Sequence, residues 1–356
     1  MFGIIPEAQP GSPTDDVPMH AALKYRFALA WTLPVAVGLA AAHAAVTAWL
    51  VMLGWQMALA LAERLPALQQ SPAAAPQTAW HRWCIRLHVP LQAALLGWGL
   101  WLAATQGLGV AAAMALGVGI GGVTGSQGIT FAHELGHSRS RVDRVLGWVL
   151  MASVCYAHFM VEHYRGHHPR AATLEDPASA RRGESLWRFL PRTLAGGFRS
   201  AWRLEAQQLG QLKRGWQGSP LLWATGAQVL WLLLVTAWLG PLALLFWLVQ
   251  SAYAVFLLEA INYIEHYGLQ RRMQGTRAET FGVMHAWNAD HLLTNCTIAN
   301  LQRHSDHHMH AWKSYAELEP LPGPQLPTGY AGCLFLASVP RLWFAAMHRR
   351  LDALAV

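Results

Sequence analysis

Histidines dominate the chemistry available to this 356-residue chain. Half of its 18 histidines fall in four short motifs, HELGH, EHYRGHH, NYIEHYG and LQRHSDHH. Neutral imidazole is the most common nitrogen ligand for transition metals, and a tetrahedral zinc ion uses only four ligands. The motifs therefore predict a site for two metal ions whose ligands are His133, His137, His163, His167, His168, His266, His304, His307 and His308.

The spacing within the motifs suggests how these ligands are shared. Residues four apart lie on one face of a helix, so His133 and His137 can approach one metal, and His163 and His167 are expected to do the same. His168 and His308 each follow another ligand and point about 100° away from it on a helix. This orientation suits a position that bridges two metals.

Carboxylates near the motifs are candidates for supporting the histidines. A histidine that binds a metal usually donates its second N–H to a carboxylate or carbonyl. The leading candidates for this role are Glu162, Asp176 and Glu265.

The composition places the histidines in a membrane protein, because 54% of the residues are hydrophobic and only 13% are charged. The net charge of +7 does not indicate nucleic-acid binding, since the basic residues lie between apolar runs. No nucleic-acid partner is expected. The first 25 residues are polar and Pro-rich and do not have the pattern of a removable signal peptide.

Six apolar stretches are long enough to cross a bilayer, at 27–43, 44–63, 87–105, 108–131, 221–239 and 241–263. The predicted fold class is an all-α integral membrane protein with six transmembrane helices and a cytoplasmic helical cap that holds the polyhistidine site. Short amphipathic surface helices are expected over 132–220. The run 331–347 contains Pro340 and Arg341, so it is predicted to be an interfacial helix rather than a seventh span.

The predicted organisation has five parts. A polar tail, 1–25, precedes transmembrane helices 1 to 4 in 26–132; a histidine-motif region, 133–220, precedes helices 5 and 6 in 221–265; and a second histidine-motif region, 266–356, follows.

Basic residues predict the orientation of the helices. Half of the 26 Lys and Arg residues lie between Arg139 and Arg214, and the turns near 43, 106 and 240 contain none. The positive-inside rule then places both termini and all four motifs in the cytoplasm.

The four cysteines form no CxxC pair, which is the pattern that could hold an iron–sulfur or rubredoxin-type centre. Any electron donor must therefore be a separate protein.

Two other functions share part of this pattern. HELGH alone matches the HExxH motif of zinc proteases, with Glu134 as the base, but that interpretation leaves the other seven histidines unused. A metal transporter or storage protein would need a path of polar residues through the membrane, and the predicted spans carry few of them.

The four motifs, together with EDPASARRGESLWRFLPRT, SAWRLE, HAWNADH and LPTGY, resemble the membrane-bound alkane 1-monooxygenases over residues 20–348. These enzymes are similar to xylene methyl hydroxylases and, more remotely, to membrane fatty-acid desaturases. NYIEHYG distinguishes both hydroxylase groups from the desaturases, and LQRHSDHH is closer to the alkane branch.

The resemblance implies a non-haem diiron site in the bacterial cell inner membrane, facing the cytoplasm, with the nine histidines as ligands. It implies that O₂ and two electrons, delivered by a rubredoxin and its reductase, convert the terminal methyl of medium- or long-chain alkanes into 1-alkanols. A xylene-type methyl hydroxylase and a fatty-acyl desaturase or hydroxylase are the sister alternatives.

The substrate and the donor each suggest candidate residues. A hydrocarbon would enter from the lipid bilayer, and Trp55, followed by Met57 and Leu59, could close the far end of a slot between helices; a packing role for Trp55 is the alternative. A surface rich in arginine could attract an acidic donor, although the positive-inside rule also accounts for it. Its members are Arg139, Arg170, Arg181, Arg182, Arg271 and Arg272.

Overall fold

A computed structural model describes residues 23–275 and 277–354, so most of the predicted N-terminal tail lies outside the described residues. A 3₁₀ helix, Lys24–Trp31, comes first. The α-helices are α1 Thr32–His43, α2 Ala48–Ala62, α3 Ala79–Arg86, α4 His88–Thr105, α5 Val110–Val123, α6 Thr130–His137, α7 Arg141–Ser153, α8 Phe159–Glu162, α9 His168–Arg170, α10 Leu186–Gln211, α11 Pro220–Leu239, α12 Pro241–His266, α13 Leu292–Thr297, α14 His304–Met309, α15 Tyr330–Ser338 and α16 Pro340–Leu354.

Within residues 23–275 and 277–354, six helical segments have the length and composition of membrane spans, which confirms the predicted number. We number them spans 1 to 6: Lys24–His43, Ala45–Ala62, Ala79–Thr105, Val110–His137, Pro220–Leu239 and Pro241–His266. The predicted reversal after His43 is also confirmed, because Ala44 adopts an extended conformation there. The protein is a multi-pass membrane protein that is mainly helical.

Span 4 is the centre of the bundle because its glycines allow close packing. A Cβ atom at Gly117, Gly121 or Gly125 would come within 3 Å of the atoms of span 6. Small residues four apart let membrane helices approach closely and pack by van der Waals contact. This packing places the histidine-bearing ends of spans 4 and 6, which carry His137 and His266, side by side.

After span 4 the chain forms a helical hairpin whose tip enters the bundle. Helix α7 leads in, Cys155 at the tip has a φ of +55°, and α8 leads out. The Gln250 amide of span 6 donates to the Ser153 carbonyl at 2.9 Å, and Gln92 of span 3 donates to the Ser153 hydroxyl at 2.9 Å. In an apolar environment a free backbone carbonyl must find such a donor.

The prediction of only short surface helices over 132–220 was therefore wrong. The hairpin enters the bundle because distant spans supply its hydrogen bonds, and Val142, Val145 and Val149 give α7 an exposed apolar face. The region also contains α10, which is 26 residues long. Neither the partners nor the hairpin geometry can be read from local periodicity.

The C-terminal part holds the remaining histidine motif against the bundle. Two short antiparallel strands, β1 Met273–Gln274 and β2 Arg277–Ala278, precede it. Arg303, whose side chain is fully buried, donates to the carbonyls of Leu318 and Pro72 and pairs with Asp290. Helices α15 and α16 bend by 120° at Val339, where Pro340 begins a new helix.

Candidate metal centre

The nine motif histidines meet at one end of the bundle, where the structure divides them into two sets. The ligand atoms within each set lie within 4.8 Å of one another. The five-histidine set contains His133, His137, His163, His168 and His307, and the four-histidine set contains His167, His266, His304 and His308. Each set combines residues from three separate regions of the chain.

The donor atoms of the five-histidine set point toward a common centre. His168 Nε2 lies 3.1 Å from His137 Nε2, 2.9 Å from His163 Nε2 and 3.3 Å from His307 Nε2. Two nitrogens bound at about 2.1 Å to one ion, at right angles, would lie about 3.0 Å apart. The lone pairs of these Nε2 atoms point at one another, and a proton cannot lie between every pair of nitrogens. The set therefore fits a bound cation.

The four-histidine set also fits a metal, because several of its buried nitrogens lack other partners. His304 Nε2 lies 3.1 Å from His266 Nε2. Among the described residues, His167 Nε2 and His308 Nε2 have no hydrogen-bond partner. Buried imidazole nitrogens without partners are costly unless a ligand satisfies them. Imidazole donors suit iron as well as zinc, copper and nickel.

The expected pairing within EHYRGHH was wrong, although the pairing of His133 with His137 was confirmed. His163 shares a set with His168, five residues on, while His167 belongs to the other set. The reason is a π-helical turn at His163–His167, in which residues five apart replace residues four apart on one face. The four-residue spacing rule applies only to a regular α-helix.

The expected bridging positions are also revised. His168 belongs to the five-histidine set and His308 to the four-histidine set, so each has a single assignment. Their ring centroids are 4.5 Å apart, which places the two residues at the border between the sets.

Burial favours the neutral state of most of these imidazoles, which is the state that binds metals. At His167 the effect of burial is outweighed by Asp176, which raises the pKa of that imidazole. Burial, reinforced by neighbouring histidines, lowers the pKa of His168 to about 3. The same causes hold the pKa values of His163, His304 and His307 well below the usual range. Aromatic rings shield both sets, since Phe159 stacks on His163 and Phe281 on His308.

Asp176 contacts a candidate ligand directly. Its Oδ2 lies 2.9 Å from His167 Nδ1 and accepts a hydrogen bond from the Ser179 hydroxyl at 2.6 Å. Burial alone would raise the pKa of Asp176, but His167 and Ser179 lower it to about 2. The ionised carboxylate therefore holds a proton on Nδ1 of His167 and directs Nε2 toward the other three histidines.

Glu265 and Glu162 are placed differently. Glu265 Oε1 lies 3.2 Å from His304 Nδ1 and accepts a hydrogen bond from the Tyr330 hydroxyl at 2.6 Å. Glu162 instead pairs with Arg170 at 2.9 Å. Burial, only partly offset by Ser200 and Arg170, raises the pKa of Glu162 to about 7. Glu162 thus anchors the π-helical turn through Arg170.

Glu134 does not occupy the position that a zinc-protease mechanism requires. Its Oε1 accepts the backbone N–H of Tyr315 at 3.0 Å, so the carboxylate links span 4 to a later loop. Its neighbours His133 and His137 belong to a set of five histidines rather than to a three-ligand catalytic zinc site. The geometry disfavours the protease alternative.

Gly136 explains why the HELGH motif contains a glycine. A Cβ atom there would overlap the hydroxyl of Tyr164, which donates a hydrogen bond to the His133 carbonyl at 2.9 Å. Tyr164 thus joins the first two histidine motifs. Its role was not predicted, and only its position inside EHYRGHH could have suggested it.

An elongated, mainly apolar cavity begins at the histidines and runs into the bundle. It encloses about 920 Å³, its open mouth included, between spans 2, 4 and 6 and helix α15. His133, His163 and His304 line one end, so both sets contribute to it. Along span 4 it extends back from His133 to Gly125, eight residues earlier, through the π-helical segment Thr124–Ile129.

Trp55 and Leu59 of span 2 both line this cavity. Met57, which was expected beside them, is 48% exposed and lies on another face of the same helix.

Comparison with known proteins agrees with this geometry. The sequence model of the fatty acid desaturase family matches residues 107–337. Alkane 1-monooxygenase 2 of Pseudomonas aeruginosa is 42% identical over 74% of this chain and 72% of its own length. Alkane 1-monooxygenase 1 of the same species is 40% identical over 82% and 78%, respectively.

A sister enzyme is more distant. The hydroxylase component of the xylene/toluene monooxygenase of Pseudomonas putida is 26% identical over 64% of this chain and 61% of its own length. The histidine sets, the six spans and these similarities lead to one assignment: this chain is a membrane monooxygenase of the fatty acid desaturase family and belongs to its alkane 1-monooxygenase branch.

Proposed function

We propose that this protein hydroxylates the terminal methyl group of medium- or long-chain alkanes to give 1-alkanols. The observation that carries the proposal is the apolar cavity that ends at histidines of both sets. A hydrocarbon in this cavity offers its end, rather than its middle, to the metal centre. The names and the similarity of the alkane 1-monooxygenases support the same substrate class.

The nine histidines would hold two iron ions, which would supply the O₂ chemistry: one oxygen atom enters the C–H bond and the other leaves as water, with two electrons and two protons consumed. The protein's own residues prepare this chemistry. Asp176 orients His167, Glu265 lies beside His304, and Phe159 and Phe281 cover the imidazoles. Placement of the substrate and exclusion of water are the protein's contribution to such reactions.

The cavity walls fix the position of the alkane. Leu257, Leu258 and Ile261 of span 6 face Met52 and Leu59 of span 2 across the cavity. Burial of a methylene group between such walls is worth about 0.8 kcal/mol, so a longer chain binds more tightly until it meets the closed end.

A rubredoxin, reduced by its reductase, is the proposed electron donor, and the bacterial inner membrane is the proposed location with the histidines facing the cytoplasm. The distribution of Lys and Arg supports this orientation. The absence of CxxC pairs in the sequence supports a separate carrier.

The test is product analysis with purified protein in liposomes, supplied with iron, a rubredoxin and its reductase, and a mixture of alkanes, xylene and a saturated fatty acid. We expect 1-alkanols, two electrons consumed per alcohol, and loss of product in His163→Ala. Benzylic alcohol alone would assign the xylene-type branch, and unsaturated acid alone would assign the desaturase branch. Product formation by His163→Ala at the parent rate would refute the metal site.

A further inference from the structure

The wall of the cavity includes a polar amide that its apolar surroundings do not explain. Gln127 of span 4 lines the cavity and is only 1% exposed. Within the part of the chain that the structure describes, neither Oε1 nor Nε2 of this amide has a hydrogen-bond partner. The neighbouring Ser126, which also lines the cavity, has its hydroxyl bonded to the Gly122 carbonyl at 2.6 Å.

An unpaired buried amide costs about 1–3 kcal/mol by mutational measures, so a wall that only has to hold an alkane would favour leucine here. Of the other polar groups on the wall, Thr130 donates to the Ser126 carbonyl and Asn262 to Glu259, whereas the Thr294 hydroxyl has no partner within the described residues. Gln127 differs from Thr294 in that both the donor and the acceptor of its amide are unpaired. Gln127 thus has hydrogen-bonding capacity that a ligand in the cavity can use.

The position of Gln127 specifies where the polar group of such a ligand lies. It lies in a π-helical segment of span 4, Thr124–Ile129, and precedes His133 by six residues; both side chains line the same cavity. A group at Gln127 is therefore several methylenes away from the end that faces the histidines. It lies in the deep part of the cavity, toward Gly125 and Met52.

We infer that this site also accepts a chain that carries a terminal hydroxyl, bound with its methyl end at the metal centre and its hydroxyl at Gln127. A hydroxyl matches the amide best because it can donate to Oε1 and accept from Nε2 at once. The inference rests on the proposed function, since it uses the same cavity and the same reaction.

The hydroxylation of such a chain consumes the same co-reactants as the hydroxylation of an alkane. The methyl C–H bond becomes a C–O–H bond with one atom of O₂, the other atom leaves as water, and two electrons from the proposed rubredoxin and two protons are consumed. A 1-alkanol of suitable length thus becomes an α,ω-diol. The hydroxyl already present is bound but not changed.

The experiment compares each alkane from hexane to dodecane with the 1-alkanol of the same length, in the reconstituted system. The parent, Gln127→Leu and the control Ser126→Ala are assayed for kcat/KM. We expect the parent to favour the alkanol at one chain length by about tenfold, the weight of one buried hydrogen bond. Gln127→Leu should lose this preference and improve on alkanes, while Ser126→Ala should keep it.

A second measurement does not require turnover. Thermal unfolding of the metal-loaded protein is followed with 1-octanol and with octane, and the parent should be stabilised more by 1-octanol whereas Gln127→Leu should not. An equal response in parent and Gln127→Leu, in both measurements, would overturn the inference and indicate water at the amide. Failure of the proposed function is distinct, because the parent would then form no alcohol from any alkane.

Discussion

The contact between Asp176 and His167 shows how one carboxylate can decide the properties of a ligand. Imidazole has two nitrogens, and the one that faces the four-histidine set is free only if the other keeps the proton. Asp176 is buried and ionised, so it determines this choice. Ser179 and the backbone N–H of Ala178 hold the carboxylate in place.

Asp176→Asn should therefore weaken metal binding. The amide can present its N–H to His167 Nδ1 and favour the wrong tautomer. We expect the affinity for iron to fall about 10- to 100-fold, the usual effect of losing such a partner. Metal titration of purified protein measures the effect. Glu175→Gln, which changes an exposed neighbour, is the matched control; equal iron affinity in the two variants would contradict the role.

Trp55 offers a test of how the cavity limits its substrate. Because its ring lines the cavity, Trp55→Ser should open space there and extend the product range to longer alkanes. Met57→Ser, on an exposed face of the same helix, should leave the range unchanged. The measurement is the length distribution of alcohols from an alkane mixture. The same distribution for Trp55→Ser and the parent would assign the tryptophan to packing.

The sequence predicts which residues are candidate ligands better than it predicts which histidine set each of them joins. The sequence was sufficient to single out nine histidines and the carboxylates Asp176 and Glu265, because metal ligands cluster in recognisable motifs. It could not show that His163 and His168 share a set, since a π-helical turn depends on tertiary packing. Gln127 was missed because an isolated glutamine in an apolar run carries no motif.

At the level of elements, the hairpin formed by α7 and α8 is the part that positions the EHYRGHH motif. Its tip has carbonyls that no helix partner can satisfy, and amides from spans 3, 5 and 6 bind them or the neighbouring hydroxyl. Gln250 makes the most extensive contacts: it also accepts from Thr124 and donates to Ser251. Gln92, Gln228 and Gln250 are thus structural donors.

Gln250→Leu should destabilise the hairpin by about 1–3 kcal/mol, because it leaves the Ser153 carbonyl buried without a donor. We expect a lower unfolding temperature and a lower iron content, since the hairpin carries three histidines. Gln228→Leu removes a longer contact, 3.3 Å to the Ala152 carbonyl, and should have the smaller effect. Calorimetry and metal analysis provide the readouts; a larger loss in Gln228→Leu would show that the tip depends on span 5.

The spans themselves were predicted well because long apolar runs are the strongest signal in a sequence. The six predicted spans match the observed helices, apart from span 3, which begins at Ala79 rather than at residue 87, and the ends of spans 4 and 6, which extend into the motifs. The hairpin and the 120° bend at Val339 were harder to predict from the sequence. The first depends on hydrogen bonds between distant segments, and the second on the way Pro340 restarts a helix.

At the scale of the whole molecule, the basic surface is not uniform. Arg170 pairs with Glu162, and Arg271 donates to the carbonyls of Glu279 and Pro169. These two arginines hold the fold together. Arg181 and Arg182 are exposed, although Arg182 also pairs with the exposed Asp352 at 2.6 Å. The neighbouring Ala180 carbonyl accepts the N–H of Gly268, two residues after His266. Arg181 and Arg182 are the better candidates for attracting an acidic donor near the metal centre.

Reversal of charge in Arg181→Glu/Arg182→Glu should raise the apparent KM for rubredoxin severalfold and reduce its dependence on salt, because steering depends on complementary charge. Lys213→Glu/Arg214→Glu makes the same change of net charge beyond the end of α10 and should have little effect. Steady-state kinetics of both double variants at several salt concentrations measure the difference. Equal responses of both double variants would indicate a general effect of charge.

The distribution of the two histidine sets along the chain also determines the order of biogenesis. Both sets need residues of α14, His307 for one and His304 and His308 for the other. A nascent chain that has just completed span 6 carries only the remaining ligands, four for the first set and two for the second. Neither coordination sphere can be complete until the ribosome has passed residue 308, so full metal loading is a late, post-insertion step of maturation.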